Sequence, residues 1–167
     1  GIQRVEYRAR VNREEISKCD AVWSELVDTD VTASLDDEDY REGNGACKFV
    51  LGAGLAATDI IASEDISTVD LSGMTHCEGW IKSSVGTANA SLHLILSTTA
   101  SAGTETELLN IGSLVADTWT RFRVALANPE SDSAIISVGL KHTLDIGAAT
   151  VWIDGIEGTQ EGSETWE

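Results

Sequence analysis

Catalytic chemistry needs its groups at defined spacings, and the histidines and cysteines of this 167-residue chain offer none. His76, His93 and His142 lie in unrelated segments without an HExxH pair, and Cys19, Cys47 and Cys77 lack CxxC spacing, so the local geometry of a zinc site is missing. There is no GxSxG elbow, no P-loop, and no GxGxxG opening a helix. With 28 Asp and Glu residues, pairs of carboxylates arise by chance and do not mark a glycosidase. The chain reads as non-enzymatic. The cysteines read either as free buried thiols or as a Cys47–Cys77 bridge between neighbouring strands. One carboxylate stands apart. Asp154 sits inside the apolar run Val151-Trp152-Ile153-Asp154-Gly155-Ile156, where it either faces solvent by strand alternation or has to be paired, hydrogen-bonded or metal-bound. Trp23, Trp80, Trp119 and Trp152 lie in or beside strands, the usual place of a core Trp, which leaves Tyr40 as the best loop aromatic for stacking on a sugar.

The elements that must hold these residues are strands. Leu92, Leu94 and Leu96 alternate with Ser91, His93 and Ser97. Phe122, Val124 and Leu126 oppose Arg121, Arg123 and Ala125, and Ala134, Ile136, Val138 and Leu140 oppose Ser133, Ser137 and Lys141. Period-2 patterns of this kind predict half-buried strands. Turn residues separate them at Glu42-Gly43-Asn44-Gly45, Ser72-Gly73, Val85-Gly86-Thr87, Ser101-Ala102-Gly103-Thr104 and Asn128-Pro129. The expected fold is all-β, an antiparallel two-sheet β-sandwich of about ten strands. Helix is confined to a turn or two near Asn12–Lys18 or Asp36–Tyr40.

Eleven Lys and Arg residues leave a net charge of −17, which argues against nucleic acid or an anionic membrane surface as partner. No apolar run is long enough to span a bilayer, and Gly1 to Ser17 show no signal-peptide pattern. The charge is uneven. Residues 1–18 carry +2 (Arg4, Arg8, Arg10, Arg13 and Lys18 against Glu6, Glu14 and Glu15), leaving −19 on the rest. Val5, Tyr7, Ala9 and Val11 alternate with charged residues, so the segment reads either as an ordinary edge strand or as a docking arm for an acidic neighbour. As an arm it would act through Arg4, Val5, Tyr7, Arg8, Arg10 and Val11. The expected organisation is an arm at 1–18, a sandwich at 19–158 and an acidic tail at 159–167.

Several segments carry a resemblance. Asp20 and Trp23 precede Gly43-x-Gly45-x-Cys47-Lys48-Phe49; then come Asp70–Ser84, Ala116–Leu140 and Gly147–Gly158. Together they resemble the galactose-binding-like, carbohydrate-binding-module type of jelly roll, most of all versions found in tailed-bacteriophage virion proteins. The resemblance covers roughly residues 19–158. It implies a non-catalytic virion structural module (a capsid decoration, head or tail protein) with copies of itself and neighbouring virion proteins as partners, located in the virion. The alternative it implies is a carbohydrate-binding module that recognises surface glycans, with Tyr40 as a contact. Related jelly rolls often hold one structural Ca²⁺ where the first strand, a loop and the last strand meet; those places match Asp20, the Asp39–Gly45 loop and Asp154. The expected ligand set is Asp20, Asp39, Gly45 and Asp154, with Glu42 as a substitute for Asp39.

Overall fold

Residues 6–7, 11–161 and 165–166 are described by a computed structural model. The strands are β1 (Glu6–Tyr7), β2 (Val11–Ser17), β3 (Ser24–Glu25), β4 (Val31–Asp36), β5 (Ala46–Leu51), β6 (Asp59–Val69), β7 (His76–Ser83), β8 (Leu92–Ser97), β9 (Glu107–Asn110), β10 (Thr120–Ala125), β11 (Ile135–His142), β12 (Ala149–Glu161) and β13 (Thr165–Trp166). A six-stranded sheet runs β10-β7-β12-β5-β4 with β2 also paired to β12; a five-stranded sheet runs β3-β6-β11-β8-β9. All pairings are antiparallel. The molecule is thus an all-β, two-sheet sandwich of jelly-roll type. Among the described residues helix is limited to single 3-10 turns at Ala100–Ala102 and Pro129–Ser131.

Alternation makes the core. Along β7, Cys77, Gly79 and Ile81 point inward while His76, Glu78, Trp80 and Lys82 point out. Cys47, Phe49, Val151 and Ile153 line the inner face of the larger sheet, and Leu92, Leu94, Leu96, Val138 and Leu140 meet them from the smaller one. Trp23 is buried against Phe49, ring centroids 5.7 Å apart. The three cysteines are buried free thiols. One core expectation shifts by a residue: a register irregularity between Ile135 and Ser137 puts Ile135 in the core and leaves Ile136 only partly buried. Between Cys19 and Thr29 the only strand is the two-residue β3.

β12 organises the site described below. Its first half, Ala149 to Ile153, pairs with β5; its second half, Ile156 to Glu161, pairs with β2 on the same side, while β7 follows its other edge. The change of neighbour falls at Asp154-Gly155, where a bulge breaks register with β7 and Gly155 takes φ +54°.

This pairing corrects the expected organisation. Residues 11–17 are a strand of the chain's own sheet, neither a helical turn nor a free arm, with Ile16 and Ser17 buried. Val11 pairs with Glu161, and Tyr7 in β1 pairs with Thr165. Residues 159–161, expected in the tail, belong to β12. Arg4, Val5, Arg8 and Arg10 lie outside the described residues. Among the described residues no helix is long and apolar enough to cross a membrane.

Candidate functional site

The outer face of the six-stranded sheet carries three partly exposed tryptophans. Trp80 on β7 and Trp152 on β12 point away from the core, and Trp119 stands just before β10. Register places Ser34, Lys48, Trp152 and Lys82 in one row across β4, β5, β12 and β7. Trp119, adjacent to the Thr120–Ile81 pair, extends that row at β10. Trp80 lies one row over, opposite Asp154 on one side and Arg121 on the other. The expectation that these three are core residues is therefore wrong; of the four strand tryptophans, only Trp23 is buried. The signal was present in the alternation: Trp80 shares strand parity with Glu78 and Lys82, and Trp152 with Thr150 and Asp154.

Cations surround the rings. Lys82 Nζ is 4.2 Å from the Trp152 ring centroid and 5.7 Å from that of Trp119; the Arg41 guanidinium lies 4.3 Å over Trp80, with Arg121 5.5 Å away. Lys48 Nζ stands 5.9 Å from Trp152. Most of these charges are answered. Lys82 pairs with Asp39; Arg121 donates to Glu157 at 2.8 Å and lies 3.6 Å from Glu78 and 3.9 Å from Glu42; Arg123 lies 3.8 Å from Glu78. Lys82, Arg121 and Arg123 thus each have a carboxylate within 4 Å.

The β4–β5 connection, residues 37–45, follows Asp36 and leans over this face. The Trp152 indole N–H donates to Asp36 Oδ2 (2.9 Å) and the Trp119 indole N–H to Asp39 Oδ1 (2.8 Å). Lys82 and Trp119 hold the Asp39 carboxyl below its ordinary range. Burial pushes Asp36 up, but the Asp39 and Glu38 N–H groups and the Trp152 indole outweigh it and hold it low. Tyr40, on the same connection, is 40% exposed.

The other end of this connection meets a carboxylate cluster. Asp154, fully buried, accepts the N–H groups of Arg41 and Glu42 at 2.8 Å through Oδ2, while its Oδ1 has no hydrogen-bond partner. Burial raises its carboxyl above the ordinary range, with those N–H groups working against the shift and the Glu42 charge adding to it. Asp20 follows the turn at Cys19 (φ +58°) and has a second orphaned buried oxygen, Oδ1. Gly43, at φ +64°, is approached so closely that a Cβ there would stand 2.9 Å from that atom, and Gly155 is in contact with the half-exposed Glu42 carboxylate. A depression of about 200 Å³ is lined by Lys18, Asp20, Glu42 and Gly43.

The expected cation ligands are thus gathered in part. Asp20 and Asp154 converge on the Glu42-Gly43 segment. Asp39 does not join them, because Lys82 and Trp119 hold its carboxylate over the sheet; Gly45 packs instead against the Asp36 carbonyl. Among the described residues no three His, Cys, Asp or Glu side chains form a ready-made metal cage. Asp20 Oδ1 and Asp154 Oδ1 are buried oxygens without a hydrogen-bond partner, the kind of group that calls for a proton or a cation. The histidines play no part here: His76 bonds Thr75, His93 bonds Thr143, and buried His142 is satisfied by the Ala56 carbonyl and the Ile146 N–H.

No protein-family profile matches the sequence, and no curated protein matches it. Solved structures do. A family 30 carbohydrate-binding module superposes with a TM-score of 0.58 at 16% identity, over 92% of this chain and 90% of that one. The CBM22-1–GH10 modules of an endo-1,4-β-D-xylanase from Clostridium thermocellum, complexed with xylohexaose, give 0.55 at 14% identity; 86% of this chain matches, but only 27% of that one. A putative sugar-binding protein from Bacteroides thetaiotaomicron gives 0.52 at 11% identity, over 83% and 86% of the two chains. At such identities the likeness establishes the fold alone: a jelly-roll sandwich similar to that of these modules.

Proposed function

We propose that this domain is a non-catalytic carbohydrate-binding module that takes a neutral glycan across the outer face of the six-stranded sheet. The observation that carries this reading is the placement of Trp80, Trp119 and Trp152 together on that face. An indole ring offers an apolar plane to a sugar's C–H face, and the flanking lysine, arginine and carboxylate groups offer donors and acceptors to its hydroxyls. Because Lys82, Arg121 and Arg123 already have carboxylate partners and the chain carries a net charge of −17, the face carries little net attraction for a polyanion. The same fold in proteins described as carbohydrate-binding and sugar-binding supports the reading.

Affinity electrophoresis through gels containing soluble xylan, mixed-linkage glucan or glucomannan tests it. Migration of the intact protein is retarded by at least one of them, and Trp152→Ala abolishes the retardation without loss of fold. Unretarded migration in a broad neutral panel contradicts it.

A divalent cation, calcium by its preference for oxygen ligands, belongs to the same proposal as a structural ion. Asp20, Glu42 and Asp154 would hold it, and its charge would answer the one oxygen of Asp20 and the one oxygen of Asp154 that have no donor. Chelation then lowers the melting temperature and Ca²⁺ restores it, a response that Asp20→Asn with Glu42→Gln removes. A melting curve indifferent to both additions contradicts the ion.

The virion-assembly reading of the sequence finds no comparable observation. Arg4, Val5, Arg8 and Arg10 lie outside the described residues, and the Tyr7 and Val11 backbones pair within the chain itself.

A further inference from the structure

We infer that Cys19 and Cys47 are a latent disulfide pair, a redox-modification site that a disulfide-donating oxidant closes into a staple between the turn after β2 and the inner face of β5. The pair lies in the core, on the side of β5 opposite to Lys48, and so is separate from whatever the tryptophan face binds. Cys19 takes φ +58°, a left-handed conformation that favours Gly or Asn, and yet it carries a side chain buried in the core. Cys47 is fully buried on β5. Its Sγ donates to the Ala21 carbonyl at 3.1 Å and lies 3.7 Å from the Cys19 carbonyl, and the two thiols are within hydrogen-bonding reach of each other. Sulfurs packed this closely meet the first requirement of a disulfide, that neither backbone has to travel far. Cys77 is no rival. Ile153 pairs with Cys47 on one side and with Ile81 on the other, so Cys77 stands two strands across and four residues along, roughly 15 Å away by strand spacing and rise. A disulfide spans less than about 7 Å between Cα atoms, which puts the Cys47–Cys77 bridge weighed from the sequence out of reach.

An oxidant reaches Cys19 first. A depression of about 310 Å³ opens between β2 and β6, and its lining includes Glu15, Lys18, Cys19, Asp20, Glu64 and Asp65. Four carboxylates against one ammonium favour a cationic disulfide over an anionic one. Cys19 is only 1% exposed, so reaction waits on local opening of its turn, whose neighbours Lys18 and Ala21 are exposed. The Cys19 thiolate attacks one sulfur of the donor, giving a mixed disulfide and releasing the first donor thiol. The Cys47 thiolate then attacks Cys19 Sγ and expels the second. One S–S bond forms in the protein and one breaks in the donor, which takes two electrons and two protons from the pair. The new bond closes residues 19–47 into a ring that contains β3, β4 and the β4–β5 connection. It therefore restricts, in the unfolded chain, the segment that presents Asp36 and Asp39 to the indole N–H groups once folded.

The experiment treats reduced wild-type protein with cystamine, a cationic disulfide, both in the folded state and during refolding from denaturant. Remaining thiols are alkylated under denaturing conditions and the products are mapped by mass spectrometry. Trypsin cuts after Lys18, Arg41 and Lys48, so the two cysteines fall in separate peptides, 19–41 and 42–48. The pair loses two hydrogens, peptides 19–41 and 42–48 are joined, and Cys77 alone is alkylated. The melting temperature rises by about 5–10 °C, the scale of one disulfide in a domain of this size, and dithiothreitol reverses the gain. Cys77→Ser gives the same bond and the same gain. Three alkylated cysteines after both treatments overturn the pair. So does a bond that involves Cys77, a cystamine adduct on Cys19 that never resolves onto Cys47, or a Cys19–Cys47 bond that leaves the melting temperature where it was.

Discussion

Glu107, at the start of the smaller sheet's edge strand β9, and Asp132, in the turn after β10, are both buried. Glu107 accepts the N–H groups of Ala127 and Asn128 at 2.9 and 3.0 Å, which stabilises its charge, whereas no donor reaches either oxygen of Asp132. Burial, then the hydrogen bond to Glu107 and its charge, push the Asp132 carboxyl up to about 8. Asp132 is therefore protonated below about pH 8, the form that can donate to Glu107. A folded-state pKa above the unfolded value of ~3.9 contributes stability that is complete below that value. That stability is lost as pH rises through about 8. Asp132→Asn keeps a donor and removes the titration, so the wild-type minus variant difference in melting temperature falls between pH 4 and pH 9. A difference that is flat across that range contradicts the shared proton. At this scale the sequence was partly legible. Asp154, a carboxylate in an apolar strand, announced a need for partners, and it has them. The tryptophans were misread because residue type was weighted above strand parity, and parity decides which side of a sheet a ring occupies.

Among the elements, β2 was the hardest to place from sequence. Asn12, Arg13, Glu14 and Glu15 are all exposed, so the segment has little hydrophobic pattern, and its partner β12 is more than 130 residues away in the chain. Long-range pairing of a polar strand leaves no local trace. Once paired, β2 buries Ile16, worth about 1.5–3 kcal/mol, and supplies β12 with its neighbour from Ile156 onward. Removing residues 1–17 should therefore lower the melting temperature by several degrees, on the scale of about 2–4 °C per kcal/mol for a domain of this size. An unchanged melt would show that β2 is dispensable after all. The β4–β5 connection was legible as turn chemistry through Gly43 and Gly45, but not as the piece that bends over the sheet. That role comes from Asp36 and Asp39 meeting indole N–H groups contributed by distant strands.

For the molecule as a whole, the sandwich could be read because most strands carry a clean period of two with turn residues between them. Leu94 illustrates it: fully buried as its alternation demands, it should cost about 2–5 kcal/mol on replacement by Ala, measured by chemical denaturation. A near-zero cost would place it outside the core. Fold and function separate at this scale, since one sandwich serves assembly and recognition equally well. What favours recognition is local: three outward tryptophans beside the ion-paired Lys82 and Arg121, beneath a connection anchored by Asp154. The most direct test is isothermal titration of wild type and of the Trp80→Ala/Trp152→Ala double variant with the neutral polysaccharide that retards the protein most. The account predicts saturable wild-type binding that changes little at high salt, and a loss of at least about tenfold in the variant, roughly 1.4 kcal/mol, with its melting transition still cooperative. Equal affinity in the two proteins, or binding that appears only with polyanions and vanishes with salt, would contradict it.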